Sequence, residues 1–107
     1  MGSKLDFVDY VMEQLGNSRH ITYKKMFDEY AVYCDGKVVA LICDNQLFVK
    51  VTNAGQAFVG SLTQAPPYPG AQLHFLIEDK LEDRPWLTEL ITLTSNALPE
   101  PKAKKIR

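Results

Sequence analysis

The stretch CDGKVVALICDNQLFVKV, residues 34–51, decides the fold. Cys-Asp followed by a small turn-forming residue occurs at Cys34-Asp35-Gly36 and again at Cys43-Asp44-Asn45. Either the paired cysteines and aspartates form a metal or redox site, or they mark two turns of an antiparallel sheet. The residues between them settle the choice. Val38, Val39, Ile42, Phe48, Val49 and Val51 are of the β-branched and aromatic kinds that strands favour. Asp-Gly is a strong two-residue hairpin signal, because both positions accept positive φ, and Asp-Asn is a weaker signal of the same kind. With two-residue turns, Cys34 pairs with Lys37 and Cys43 with Gln46. The strand Lys37–Cys43 then separates the thiols by roughly 20 Å, at about 3.3 Å per residue. A disulfide needs Cα atoms within about 7 Å, and a shared metal needs comparable closeness. The repeat is turn punctuation, and no disulfide or metal is expected at it.

Carried along the sheet, the same register puts Ala31, Tyr33, Val38, Ala40, Ile42, Leu47, Val49 and Val51 on one face, read as the core. It puts Tyr30, Val32, Val39, Leu41 and Phe48 on the other, edged by Asp28, Lys37, Gln46 and Lys50. A sheet with one wet face alternates apolar and polar residues more cleanly than this. The second face is therefore expected to be covered, by helices of this chain or by another subunit. Tyr30, Val32, Val39, Leu41 and Phe48 form the candidate interaction surface, for a homodimer or a protein partner.

Outside this region the periodicity changes. Leu5, Val8, Val11, Met12 and Leu15 have helical spacing. Ser3 is the expected cap, Asp6 completes a capping box, and Gly16-Asn17 ends the helix. Strand grammar runs from His20 to Val51. Asn53–Gly60 reads as a short helix, with Asn53 as its cap and Gln56 reaching back. Ser61–Gly70 reads as a loop, since Pro66, Pro67 and Pro69 lack backbone donors. Leu73–Ile77 is a fifth strand. A last helix starts near Asp83 with Pro85 in its first turn, and Trp86, Leu90, Leu93 and Ala97 share its apolar face. The expected fold is α+β: two layers, an antiparallel four- to five-stranded sheet with flanking helices, in the order α-β-β-β-β-α-β-α. Residues 1–98 form one domain, and 99–107 a basic flexible tail.

The 46% hydrophobic content is that of a folded domain, and 107 residues leave room for one. Twelve basic against thirteen acidic residues give a net charge of −1. A nucleic-acid binder needs a basic footprint to displace phosphate counterions, so direct DNA or RNA binding is not expected. No apolar run approaches the roughly 20 residues that span a bilayer, no secretion leader is visible, and the expected location is the cytoplasm.

Phosphate loops and HExxH, CxxC or GxSxG motifs do not occur. His20 and His74 are the only histidines, and His74 within a strand reads as structural. Asp28 and Glu29 are adjacent, so on a strand they point to opposite faces and form no catalytic pair. Glu78, Asp79, Glu82 and Asp83 read as solvated charge before a helix N-terminus. No catalytic, cofactor-binding or metal-binding residues are therefore expected, and no enzyme activity. A second reading is a ligand-binding module using a groove between the 61–70 loop and the sheet.

Residues 26–51, MFDEYAVYCDGKVVALICDNQLFVKV, resemble the N-terminal domain of the TfoX/Sxy family of bacterial competence regulators. Met26, Phe27, Tyr30, Tyr33, Gly36, Ala40, Leu41, Leu47, Phe48 and Lys50 fit its pattern. Tyr68-Pro69-Gly70 fits its later turn. The resemblance covers residues 20–98. It departs at Asp28, Glu29 and Ala31, where family members usually have glycines. Larger members add a helical second domain with no counterpart here. The resemblance implies a two-layer α+β domain, a role in transcriptional activation of competence genes, and no catalytic residue. The function expected is that of a small regulatory domain acting through protein contacts.

Overall fold

Two tight hairpins build the middle of the sheet. They join β2 (Glu29–Cys34) to β3 (Lys37–Cys43), and β3 to β4 (Gln46–Lys50). Asp35, Gly36, Asp44 and Asn45 have φ of 52°, 82°, 55° and 58°, as type I′ turns require at both central positions. Cys34 pairs with Lys37 and Cys43 with Gln46, as the turn chemistry dictates. The computed structural model describes residues 3–16, 21–26 and 29–99. His20, Phe27, Asp28, Asn17 and the tail from residue 100 lie outside them.

The remaining elements are α1 (Leu5–Leu15), β1 (Ile21–Met26), α2 (Asn53–Val59), β5 (Gln64–Ala65), β6 (His74–Ile77), a 3-10 turn (Asp79–Glu82) and α3 (Arg84–Ala97). The antiparallel sheet has six strands in the order β1-β2-β3-β4-β6-β5. The fold is α+β, with one strand more than the four to five expected. The extra strand is β5, inside the stretch read as a loop. Gln64 and Ala65 pair with Phe75 and His74, and the prolines that follow do not interfere, because they come after the pairing ends.

All three helices lie on one side of the sheet. Val8, Val11 and Leu15 of α1 and Leu87, Leu90 and Ile91 of α3 share one core with Val32, Ala40, Ile42, Leu47, Val49, Phe75 and Ile77. α2 joins it at Gly55, where an added Cβ would lie 3.3 Å from Leu90 Cδ1 and 3.4 Å from Phe75 Cε2. Glycine permits that close approach.

The helix details differ from the sequence expectation in three places. The buried stripe of α3 is Leu87, Leu90, Ile91, Thr94 and Ser95, with Ala97 exposed. It is rotated from the expected stripe because Thr94, polar on paper, satisfies its hydroxyl by donating to the Leu90 carbonyl at 2.7 Å and so can be buried. α2 is capped by Thr52, whose Oγ1 accepts from Gly55 N at 3.0 Å, and not by Asn53. Gln56 does not reach back: its Nε2 donates forward to the Gly60 carbonyl. Ser3 does not cap α1. Its hydroxyl donates to Glu29 Oε1 at 2.7 Å, and Lys4 takes the cap position.

Candidate interaction surface

A single irregularity assigns the faces of the sheet. Between Val32 and Tyr33 the register of β2 against β3 shifts: Val32 pairs with Ala40, but Tyr33 pairs with Val38. Val39 is the extra residue. At such a bulge two successive side chains fall on nearly the same side of the sheet. Val39 and Ala40 are both fully buried in the helix-side core.

The candidate surface read from sequence is therefore divided. Tyr30 and Val32 pair with Ile42 and Ala40 and lie on the helix side, as does Val39. Leu41 and Phe48, paired with each other, lie on the opposite face. The expected core set is divided too: Ala40, Ile42, Leu47 and Val49 are core, whereas Ala31, Tyr33 and Val38 stand on the face away from the helices. Val51, also expected in the core, is 39% exposed. Lys37 turns to the helix side as well, where its Nζ donates to the Ser95 carbonyl at 2.7 Å. The simple alternation fails because it carries no allowance for one unpaired residue.

The helix-free face is built from β1 to β6 by register. Ala31, Leu41, Phe48 and Leu76 line up across four strands, since Ala31 pairs with Leu41, Leu41 with Phe48 and Phe48 with Leu76. Leu41 and Leu76 are half-buried, while Ala31 and Phe48 are buried. Leu76 was legible only as part of a strand; its place in this row depends on the pairing of β6 with β4.

One end of this face is tied down by Glu29. Its Oε1 accepts from Ser3 N and Ser3 Oγ at 3.0 and 2.7 Å, and its Oε2 accepts from Asp44 N at 3.0 Å. Asn45 N donates to Ser3 Oγ at 2.9 Å, and Lys4 N donates to Asn45 Oδ1 at 2.8 Å. The carboxylate thus fastens the start of α1 to the β3–β4 turn.

Cys43 lies beside this network. Burial first, then the negative charges of Glu29 and Asp44, push its thiol up from 9.0 to about 11. Neither cysteine is in a disulfide, and Cys34 lies in the helix-side core. At neutral pH Cys43 should stay protonated and react with iodoacetamide far more slowly than an exposed thiol. The folded-state value lies above the unfolded one. The thiol therefore contributes stability that is full below pH about 9 and lost as pH rises through about 11. Urea denaturation across that window should show the loss, and Cys43→Ala should flatten it.

Two other sequence candidates, His74 and Asp83, have structural partners. His74 Nδ1 lies 2.9 Å from the Gln72 carbonyl. Asp83 Oδ1 accepts from Trp86 N at 3.2 Å and caps α3. Lys80 Nζ lies 3.8 Å from Asp83 Oδ2 and 5.5 Å from the Trp86 ring centre. Among the described residues, no three His, Cys, Asp or Glu side chains are placed to hold a metal ion. No helix among them is long and apolar enough to cross a membrane. In the 61–70 segment Pro67 is buried and Tyr68 is 56% exposed, with Ala71 N donating to the Tyr68 carbonyl and Gly70 at φ 89°. The pattern residues Met26, Tyr33 and Lys50 lie on the helix-free face, Tyr30 and Leu47 on the helix side, and Gly36 in a turn.

These features define a two-layer α+β domain whose antiparallel sheet carries helices on one side only. The chain matches the TfoX N-terminal domain over residues 13–98 and belongs to that family. It is also similar to the "Uncharacterized 12.7 kDa protein in trpE 5'region" of Spirochaeta aurantia, 36% identical over 107 residues, an alignment covering all of this chain and 93% of the relative.

Proposed function

We propose that this chain is a non-enzymatic protein-interaction domain acting in the regulation of competence genes or of transcription more widely. The helix-free sheet face is its contact surface. The observation that supports the reading is the apolar row Ala31, Leu41, Phe48 and Leu76 on the side away from every described helix. Leu41 and Leu76 keep part of their surface in contact with water, and such apolar surface gains about 25 cal/mol per Å² when a second surface excludes water from it. The cover is another protein surface, in the simplest case a second copy of this chain. The family link to competence control supplies the biological setting.

The test uses Leu41→Asp and Leu76→Asp, both at half-buried positions. Sedimentation equilibrium should show association of the wild-type chain and monomers for each variant, with circular dichroism unchanged. Competence-gene transcripts should fall in cells carrying either variant. A wild-type chain that stays monomeric, together with unchanged transcripts in the variants, overturns the reading.

A further inference from the structure

The two edges of the sheet are protected unequally. β5 forms one edge; it has two residues and runs directly into Pro66 and Pro67. Shortness and proline are the usual means of blunting an edge. β1 forms the other edge. It has six residues, Ile21–Met26, contains no proline, and holds an unbroken register against β2 from Ile21↔Cys34 to Met26↔Glu29. Thr22 through Met26 are all exposed. The backbone N–H and C=O groups on the outer side of such a strand form a template for a further strand.

We infer that the outer edge of β1 is a docking site for an extended acidic segment of another protein, which adds to the sheet as a seventh strand. Charge selects the occupant. Lys24 shares the helix-free face with Ala31, and Lys25 the helix side with Tyr30, so the edge is positive on both faces. A second copy of β1 would set two pairs of lysines along one seam, and like charges on adjacent strands repel. Acidic residues at two consecutive positions of an incoming strand would meet one lysine on each face. Tyr23, 37% exposed and edge-to-face with Tyr30 at 5.7 Å, and Met26, 42% exposed, offer apolar contact beside them. Backbone hydrogen bonds supply affinity, and the lysines supply selectivity. This site uses the backbone edge of β1 and not the row Leu41, Phe48 and Leu76 on β3, β4 and β6, so either can fail without the other.

The probe is an end-capped peptide of valine, threonine and two adjacent glutamates, titrated into the full chain while its backbone amide signals are followed by NMR. The glutamate peptide should shift the signals of residues 21–26 saturably. The same peptide with lysines in place of glutamates should bind roughly tenfold more weakly. Lys24→Glu/Lys25→Glu, at exposed positions, should invert that preference. N-methylation of alternate peptide amides on the pairing side should abolish binding. Equal binding of both peptides, binding that survives N-methylation, or no shift at millimolar peptide would each overturn the proposal. So would self-association of the chain that is lost in a Tyr23→Pro variant.

Discussion

Val39→Asp should unfold the domain, whereas Val38→Asp should leave it folded. The two residues are neighbours of the same type, and simple strand alternation predicts the reverse outcome, with Val38 inward. The bulge reverses their burial. Val39 has no exposed surface and sits in the helix-side core, while Val38 is half-buried on the opposite face. An unpaired carboxylate at Val39 would either remain charged in an apolar site or take up a proton at a steep cost. A loss of about 4 kcal/mol or more is expected, against a total stability of about 5–15 kcal/mol for a domain of this kind. At Val38 the carboxylate reaches water, and the loss should be about 1 kcal/mol, from strand propensity and lost contact. Circular dichroism and urea midpoints of the two variants decide between the bulged and unbulged registers.

Phe75→Ala should cost about 3–5 kcal/mol, the range for removing a buried aromatic ring. For a chain of this length that lowers the melting temperature by about 15–30 °C. Phe75 is fully buried on β6, whose neighbours are β4 and β5, and its ring lies beneath Gly55 of α2. Its loss should therefore loosen α2 as well as the sheet. A double-mutant cycle with Gly55→Ala checks the contact. The added methyl would lie 3.4 Å from the ring and 3.1 Å from Thr52 Oγ1, so it should be better tolerated once the ring is gone. Phe58→Ala is the control. Phe58 is 38% exposed beside Trp86, and its loss should cost about 1 kcal/mol or less.

The legible parts of this protein are those fixed by local chemistry. Asp35-Gly36 and Asp44-Asn45 accept positive φ whatever surrounds them, so both turns and the pairings Cys34–Lys37 and Cys43–Gln46 could be read from a few residues. The same reading kept the two thiols apart. Val8, Val11 and Leu15 placed α1, and Asp83 with Pro85 placed the start of α3, because caps and periodicity act within one or two turns. The ordered pattern from Met26 to Lys50, with Tyr68-Pro69-Gly70, carried the family.

Tertiary structure decided the rest. Which of two adjacent valines turns inward depends on one unpaired residue in β3, and Val38-Val39 carries no local mark of it. Tyr30 and Val32 went to the helix side for that reason, and Leu76 joined Leu41 and Phe48 through the pairing of β6 with β4, so the candidate surface could be named from sequence only in part. β5 exists because Gln64 and Ala65 fall against β6, and neither residue favours a strand by itself. Ser3 left its expected cap because Glu29 and Asn45, distant in sequence, hold its hydroxyl. Sequence alone determined the turns, most of the elements and the family. The facing of the sheet, and with it the side on which Leu41, Phe48 and Leu76 stand, came from contacts between strands and helices far apart in the chain, where the summed burial of many side chains outweighs any single residue's preference.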